Sequence, residues 1–76
     1  MSLVTQMLIA EQYGMRLDVE KLSKVLSITP GAIRNQISAA TFPIPTYIDG
    51  GKRWADFRDV AKHLDKKREE ARDLLH

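Results

Sequence analysis

The chain of 76 residues contains no cysteine. Disulfides and thiolate-bound metals are therefore excluded as stabilising elements, and the composition fits a reducing compartment such as the cytoplasm. Aromatic residues are also few, with one tryptophan, two tyrosines and two phenylalanines. A single domain of this size lies near the limit at which one apolar core outweighs the entropy lost on folding. Packing against a second copy is the additional stabilisation that remains, so we expect a homodimer.

Long hydrophobic runs are missing as well. No apolar segment approaches the roughly 20 residues needed to cross a bilayer, and the chain does not open with a basic stretch followed by a hydrophobic one. We therefore expect a cytoplasmic protein without a membrane partner. The opening Met1-Ser2-Leu3 fits a native start and an added cloning remnant equally well.

A large excess of charge is absent too, because the net charge is only +2. Its distribution is nevertheless uneven. Residues 21–55 contain five cations and one anion, a net +4, whereas residues 1–20 carry −2 and residues 56–76 balance six cations against six anions. Cations concentrated in one segment are typical of a surface that binds phosphate. Residues 21–55 are therefore the candidate interface.

Capping residues and apolar spacing predict four helices. The first runs from Leu3 to about Tyr13, and the others start after Asp18, after Thr29, which is followed by a proline, and after Asp56. We expect one winged helix-turn-helix domain, mostly α with a small β-hairpin wing. Its parts are an N-terminal helix at residues 1–14, a helix-turn-helix at 18–40, a wing at 44–55 and a C-terminal helix at 56–75.

The first predicted helix carries an apolar stripe at positions i, i+1, i+4 and i+5, which are Leu3, Val4, Met7 and Leu8. Such a stripe needs a covering surface, which is either the rest of the domain or a second copy of the chain. Residues 15–17 alternate in polarity and predict a short strand that pairs with the wing.

The helix after Thr29 has two contrasting sides. The side expected to be buried carries Ile33, Ile37 and Ala40. The opposite side is short, polar and basic, and carries Gly31, Arg34, Asn35 and Ser38. Arginine can bind guanine, and asparagine adenine, through paired hydrogen bonds. The candidate DNA contacts are Thr29, Arg34, Asn35 and Ser38, although the solvated face of an ordinary bundle helix has the same pattern.

The wing is predicted from two strand-like triplets, residues 46–48 and 52–54, around Asp49-Gly50-Gly51. Residues 42–45 contain two prolines and form a strap that leads to it. Lys52 and Arg53 are candidate contacts to the DNA backbone or minor groove. If Trp54 turns into the core, Arg53 takes the other face and is the better candidate. A surface hairpin with incidental cations is the alternative.

The remaining aromatic and sulfur-containing side chains are expected to fill the core. Trp54, Tyr47 and Phe57 are also stacking platforms for single strands in principle, but they are not interleaved with a basic strip. Met7 and Met15 are interpreted in the same way, as core filler.

No constellation indicates an enzyme. His63 and His76 have no cysteine or second histidine at metal-ligand spacing, and a glycine-rich phosphate loop and a nucleophile elbow are both missing. We therefore expect neither catalysis nor a cofactor or metal. The charged run of residues 65–75 is interpreted as a solvated helix end, with a dimer arm as the alternative. In that alternative Leu64, Ala71 and either Leu75 or Leu74 of two chains meet.

The order of these elements resembles the winged helix-turn-helix proteins of the excisionase and MerR type. The resemblance is carried by residues 22–37, 42–46, 51–54 and 56–64. Within that group, Gln12-Tyr13-Gly14, FPIPTYIDGG and DVAKHLDKKREEA are similar to small phage-derived regulators of the pyocin-activator kind. One departure is Gly31, which leaves a gap where a family member can place a contacting side chain.

The resemblance implies double-stranded DNA binding through Arg34, Asn35, Lys52 and Arg53, in a phage or prophage regulator of transcription. Integrase or RNA polymerase is the implied further partner. An excisionase-like protein that bends DNA and recruits an integrase is the second hypothesis. A protein interaction module that binds no nucleic acid is the third, and it gains weight if the protein shows no salt-sensitive DNA affinity while the stripe of the first helix is exposed in the monomer.

Overall fold

The protein is described here by a computed structural model, in which residues 2–75 form four helices and three short strands. In chain order the elements are α1 (Leu3–Tyr13), β1 (Arg16–Leu17), α2 (Val19–Leu26), α3 (Pro30–Ser38), β2 (Tyr47–Asp49), β3 (Lys52–Asp56) and α4 (Phe57–Asp73). This order confirms the predicted fold class, a mostly helical chain with a β-hairpin wing. Met1 and His76, and the expectations attached to them, lie outside the described residues.

Three helices begin at the capping side chains predicted from the sequence. The side-chain oxygens of Asp18, Thr29 and Asp56 accept hydrogen bonds of 3.0, 3.1 and 2.8 Å from first-turn amides of α2, α3 and α4. A cap of this kind stabilises a helix by about 1 kcal/mol relative to alanine. The starts of the helices are therefore fixed by local chemistry.

The end of α3 differs from the prediction. The helix stops at Ser38, and Ala40 adopts a left-handed conformation with φ of 56°. The amide of Thr41 donates to the carbonyl of Gln36 at 2.8 Å, and the amide of Ala40 donates to Ile37 at 3.1 Å. These two bonds satisfy the last carbonyls of the helix in the pattern of a Schellman motif. Ala40 is consequently exposed, and its predicted burial was wrong.

The three strands form one antiparallel sheet in the order β1-β3-β2. Arg16 lies opposite Asp56, which confirms that the segment after α1 pairs with the wing. The β2–β3 hairpin closes through Gly50 and Gly51, whose φ values of 61° and 78° are readily adopted only by glycine. The sheet thus ties α1 and the wing to the same strand.

The hydrophobic core joins all four helices, the strap and the sheet. Its buried members are Ile9, Leu17, Leu22, Ile33, Ile44, Ala55, Val60 and Ala61. From α1 only Ile9 is buried, whereas Met7 is 62% exposed and Met15, just after the helix, is 70% exposed. The prediction that these methionines fill the core was wrong.

Two of the three aromatic side chains predicted to be buried also lie outside the core. Trp54 is half-buried on the outer face of the wing, and Tyr47 is 45% exposed. Strand alternation turns the small Ala55 inwards, so its neighbour Trp54 must point outwards. Phe57 does pack against the core, as predicted.

Helix α4 has a packed half and an exposed half. Val60 and Ala61 are buried, and Leu64 packs against the core, so Leu64 is not free to act in a dimer arm. Asp65 marks the boundary, because its carboxylate accepts hydrogen bonds from the Ser2 amide at 2.7 Å and the Thr5 hydroxyl at 2.9 Å. Residues 66–75 beyond it are exposed.

Candidate nucleic-acid interface

An open groove of about 580 Å³ separates α3 from the wing. It is lined by the start of α2, the second half of α3 and the beginning of β3. Its polar lining contains Arg34, Ser38, Lys52 and Arg53. Four of the six predicted DNA contacts therefore surround one groove, although they come from segments about 15 residues apart in the sequence.

The polar side of α3 faces solvent as the helical spacing predicts. Arg34, Asn35 and Ser38 are exposed, while Ile33 on the opposite side is fully buried and Ile37 packs against the core. Thr29 and Asn35 are the two predicted contacts that do not line the groove. The Thr29 oxygen caps α3, and its hydroxyl proton remains able to donate.

Arg34 is restrained only weakly. Its Nη2 atom lies 3.7 Å from a carboxylate oxygen of Glu20, and both side chains are more than 60% exposed. Exposed ion pairs stabilise a protein by about 0–1 kcal/mol, so this contact holds the guanidinium loosely. A ligand with stronger hydrogen-bond acceptors can replace Glu20.

Lys52 and Arg53 both reach the groove from opposite faces of β3. Lys52 Nζ lies 3.5 Å from Asp18 Oδ2, and Arg53 donates a 2.9 Å hydrogen bond to the Thr46 hydroxyl. The preference for Arg53 depended on Trp54 turning into the core, and that condition is not met. Lys52 is the more exposed of the two cations, so the geometry gives no reason to rank it below Arg53.

A cation–π cluster on the outer face of the wing was missed by the sequence analysis. The Arg16 guanidinium lies 4.0 Å from the centre of the Trp54 ring and donates a 2.7 Å hydrogen bond to Asp49. The Trp54 indole donates to the Asp49 carbonyl at 3.0 Å, and Lys52 Nζ lies 5.6 Å from the ring centre. The hydrogen bond to Asp49 raises the pKa of Arg16 above its usual value. The cluster braces the wing on the side away from the core.

The sequence feature that could have revealed this cluster was the predicted pairing of Arg16 with the wing. Antiparallel pairing with alternation places Arg16, Trp54 and Lys52 on one face of the sheet. The exact register was needed to see it, and residue types alone do not supply a register.

Two carboxylates share the groove with the three cations. The pKa of Asp18 is lowered by the hydrogen bond from the Lys21 amide and further by Lys52, so this side chain is ionised at neutral pH. Glu20 lies beside Arg34 at the same edge. With three cations and two anions the lining is only slightly positive, and any anionic ligand must compete with Asp18 for Lys52 and with Glu20 for Arg34.

No cluster of three histidine or carboxylate side chains that could hold a metal ion occurs within residues 2–75. His63 is half-buried on α4, and burial, followed by the neighbouring Lys67 and Lys66, lowers its pKa. Nothing in this arrangement supplies an acid–base pair or a ligand set.

Comparison of the chain with models of known protein families, with curated proteins and with solved structures finds no match. Over the described part of the chain, no helix is both long and apolar enough to cross a membrane.

Proposed function

We propose that the chain binds double-stranded DNA in a sequence-specific manner through α3 and the wing. The supporting observation is the groove, across which the exposed polar side of α3 faces two cations of a hairpin. A helix can present Arg34, Asn35 and Ser38 to base edges, while Lys52 and Arg53 contact phosphates of the adjoining backbone. The arrangement of a helix next to a basic hairpin suits a winged helix-turn-helix protein.

Binding in this mode replaces two weak protein contacts by stronger ones. The pairs Arg34–Glu20 and Lys52–Asp18 are 3.7 and 3.5 Å long, and both cations are more than 60% exposed. A hydrogen bond from Lys52 to phosphate, and paired hydrogen bonds from Arg34 to a base edge, are shorter and stronger than these surface pairs. The two carboxylates, Asp18 and Glu20, also repel any phosphate that lies closer to them than to the cations. This repulsion favours one register of the duplex over others.

In this proposal the protein is a cytoplasmic regulator of transcription of the phage or prophage type, without enzymatic activity. An excisionase-like protein that bends DNA uses the same contacts. A neighbouring integrase gene and several tandem sites favour the excisionase role. One palindrome near a promoter favours the regulator.

A protein interaction module without DNA binding is a second candidate function. The observation that favours it is the apolar side of α1, whose Leu3, Val4, Met7 and Leu8 are 60–68% exposed. None of these residues lines the groove, so the two candidates are separated by whether the chain has salt-sensitive affinity for duplex DNA.

Selection of bound sequences from a random duplex pool, followed by fluorescence anisotropy, tests DNA binding. Lys52→Ala should weaken binding to all sequences alike and reduce the slope of log affinity against log salt by roughly 0.9, the contribution of one phosphate contact. Lys62→Ala, which removes an exposed cation of α4 outside the groove, is the matched control. Absence of any salt-sensitive affinity for duplex DNA would refute the proposal.

A further inference from the structure

Helix α1 exposes an apolar surface that the rest of the described chain leaves uncovered. Leu3, Val4, Met7 and Leu8 are exposed by 68%, 65%, 62% and 60%, and they share one side of the helix, here named the α1 outer face. The opposite side places Ile9 in the core. A helix that is apolar on two opposite sides is typically buried on both.

The four side chains of the α1 outer face form one contiguous apolar patch. Each of its four side chains offers on the order of 100 Å² when fully exposed, so at about two-thirds exposure the patch presents roughly 250–300 Å² of contiguous apolar surface. This is close to the size of the largest apolar patch on a typical monomeric protein, and that patch is often a functional contact site. Two such patches with their polar rims bury on the order of 1,000 Å², the lower end of the range for specific interfaces.

The tail of the same chain does not cover this face. Helix α4 continues without a break from Phe57 to Asp73, and its contact with the start of α1 is made at Asp65. Residues 66–73 therefore continue the helix beyond the contact with α1. Leu74 and Leu75 at its end are 87% and 86% exposed.

We propose that the α1 outer face binds the same face of a second copy, with the two α1 helices antiparallel about a twofold axis near Met7. A twofold contact uses one patch twice, so an apolar stripe without charges at its centre is complementary to itself. Glu11 is the only charged residue of α1 and stands at the end of the stripe. This inference does not depend on DNA binding.

Charge selects the antiparallel arrangement. Parallel helices would place two Glu11 carboxylates side by side, which is unfavourable. Antiparallel helices bring each Glu11 to the N-terminal end of the other α1, where the helix dipole is positive. At that end α4 contributes one carboxylate, Asp65, which is already hydrogen-bonded to Ser2 and Thr5, and three exposed cations, Lys66, Lys67 and Arg68.

Sedimentation of the full chain without DNA, over a wide concentration range, tests this arrangement. The unmodified chain should form a dimer with a dissociation constant in the micromolar range. Met7→Glu places two carboxylates near the axis and should weaken the dimer by about 100-fold or more, since each substitution acts twice. Circular dichroism should show unchanged helix content, because Met7 is 62% exposed.

Leu75→Glu is the matched control, because it also replaces an exposed apolar side chain by a carboxylate, here in the α4 tail. Its dimer should dissociate at the same concentration as the unmodified one. A chain that is monomeric throughout, including one that instead binds lipid vesicles through α1, would overturn the proposal. An effect of Leu75→Glu as large as that of Met7→Glu would do so too, since it would locate the dimer contact in the tail.

Glu11→Gln tests the orientation. In the antiparallel dimer this change removes an attraction to the partner's helix start and should weaken association several-fold. Tighter association would show that two carboxylates had been repelling each other, and would overturn the antiparallel arrangement.

Discussion

Helices α1 and α3 are similar in length, 11 and 9 residues, and each buries one isoleucine in the common core. Their outer sides are opposite in chemistry. Helix α3 faces solvent with Arg34, Asn35 and Ser38, whereas α1 faces it with leucine, valine and methionine. A polar side is stable in water without any partner, so its hydrogen-bonding groups stay accessible to a ligand. An apolar side of this size is stabilised by being covered. The comparison thus separates a polar surface that is stable in water from an apolar surface that is stabilised by burial.

The largest effect should come from the buried residue of α3. Ile33→Ala removes a fully buried side chain and should lower the free energy of unfolding by about 3 kcal/mol, measured by urea denaturation. Met7→Ala on the outer side of α1 should change it by less than about 0.5 kcal/mol at concentrations where the chain is monomeric. A large loss for Met7→Ala in the monomer would contradict the contrast between the two helices.

The next largest effect concerns the outer side of α3. Arg34→Ala should reduce the preference for a selected DNA site over random duplex by about 1–3 kcal/mol while leaving thermal stability unchanged, since the side chain is exposed. Competition anisotropy measures this preference. Arg72→Ala removes an exposed cation near the end of α4 and should not change it. Equal behaviour of the two variants would argue against base reading by α3.

A smaller effect is expected where α3 ends. Ala40 holds a left-handed conformation that is unfavourable for a residue with a Cβ atom. Ala40→Gly should raise the free energy of unfolding by roughly 0.5–1 kcal/mol, partly offset by the greater freedom of glycine in the unfolded chain. Ala39→Gly, at a right-handed position one residue earlier, should instead destabilise. Thermal melts of both variants distinguish the two cases.

The smallest effect should be confined to the start of α1. Hydrogen bonds from the Ser2 amide and the Thr5 hydroxyl lower the pKa of Asp65 in the folded protein. These hydrogen bonds therefore stabilise the folded protein at pH values above the pKa of an unfolded aspartate. The stabilisation is lost as the pH falls through the lowered pKa of Asp65 in the folded protein. Amide protection factors in the first turn of α1 should then fall, and Asp65→Ala should produce the same change at neutral pH.

The start of α3 offers the internal control for that measurement. Its cap is the Thr29 hydroxyl, which does not titrate in acid. Exchange in the first turn of α3 should stay slow over the same pH range. Parallel loss of protection in both helices would mean that acid unfolds the whole domain and that Asp65 has no local role.

The elements with local causes were predictable from the sequence. Asp18, Thr29 and Asp56 predict helix starts because their side chains accept hydrogen bonds from free amides. The sequence Asp49-Gly50-Gly51 predicts a hairpin because glycine adopts positive φ without steric cost. The polar side of α3 follows from helical spacing alone. These signals depend on neighbours in the sequence and need no knowledge of the tertiary structure.

The burial predictions that were wrong concern side chains whose orientation is determined by tertiary contacts. The pattern of α1 contains apolar residues on both sides, so spacing could not show that Ile9 would face the core and Met7 would not. Strand alternation allows either Trp54 or Ala55 to point inwards, and size favoured Trp54. In the folded chain Arg16 covers the indole, and the smaller Ala55 fits against α4. Likewise, the place of Asp18 and Glu20 in the groove depends on how α2 packs beside α3.

Asp18 has two partners, the Lys21 amide at the start of α2 and Lys52 of the wing. An anion that takes Lys52 leaves this carboxylate with the amide alone and adds a negative neighbour, so the proton affinity of Asp18 must increase. By thermodynamic linkage, occupancy of the groove and proton uptake then reinforce each other. One side chain thereby makes anion affinity a function of acidity, increasing as the pH falls through the Asp18 pKa.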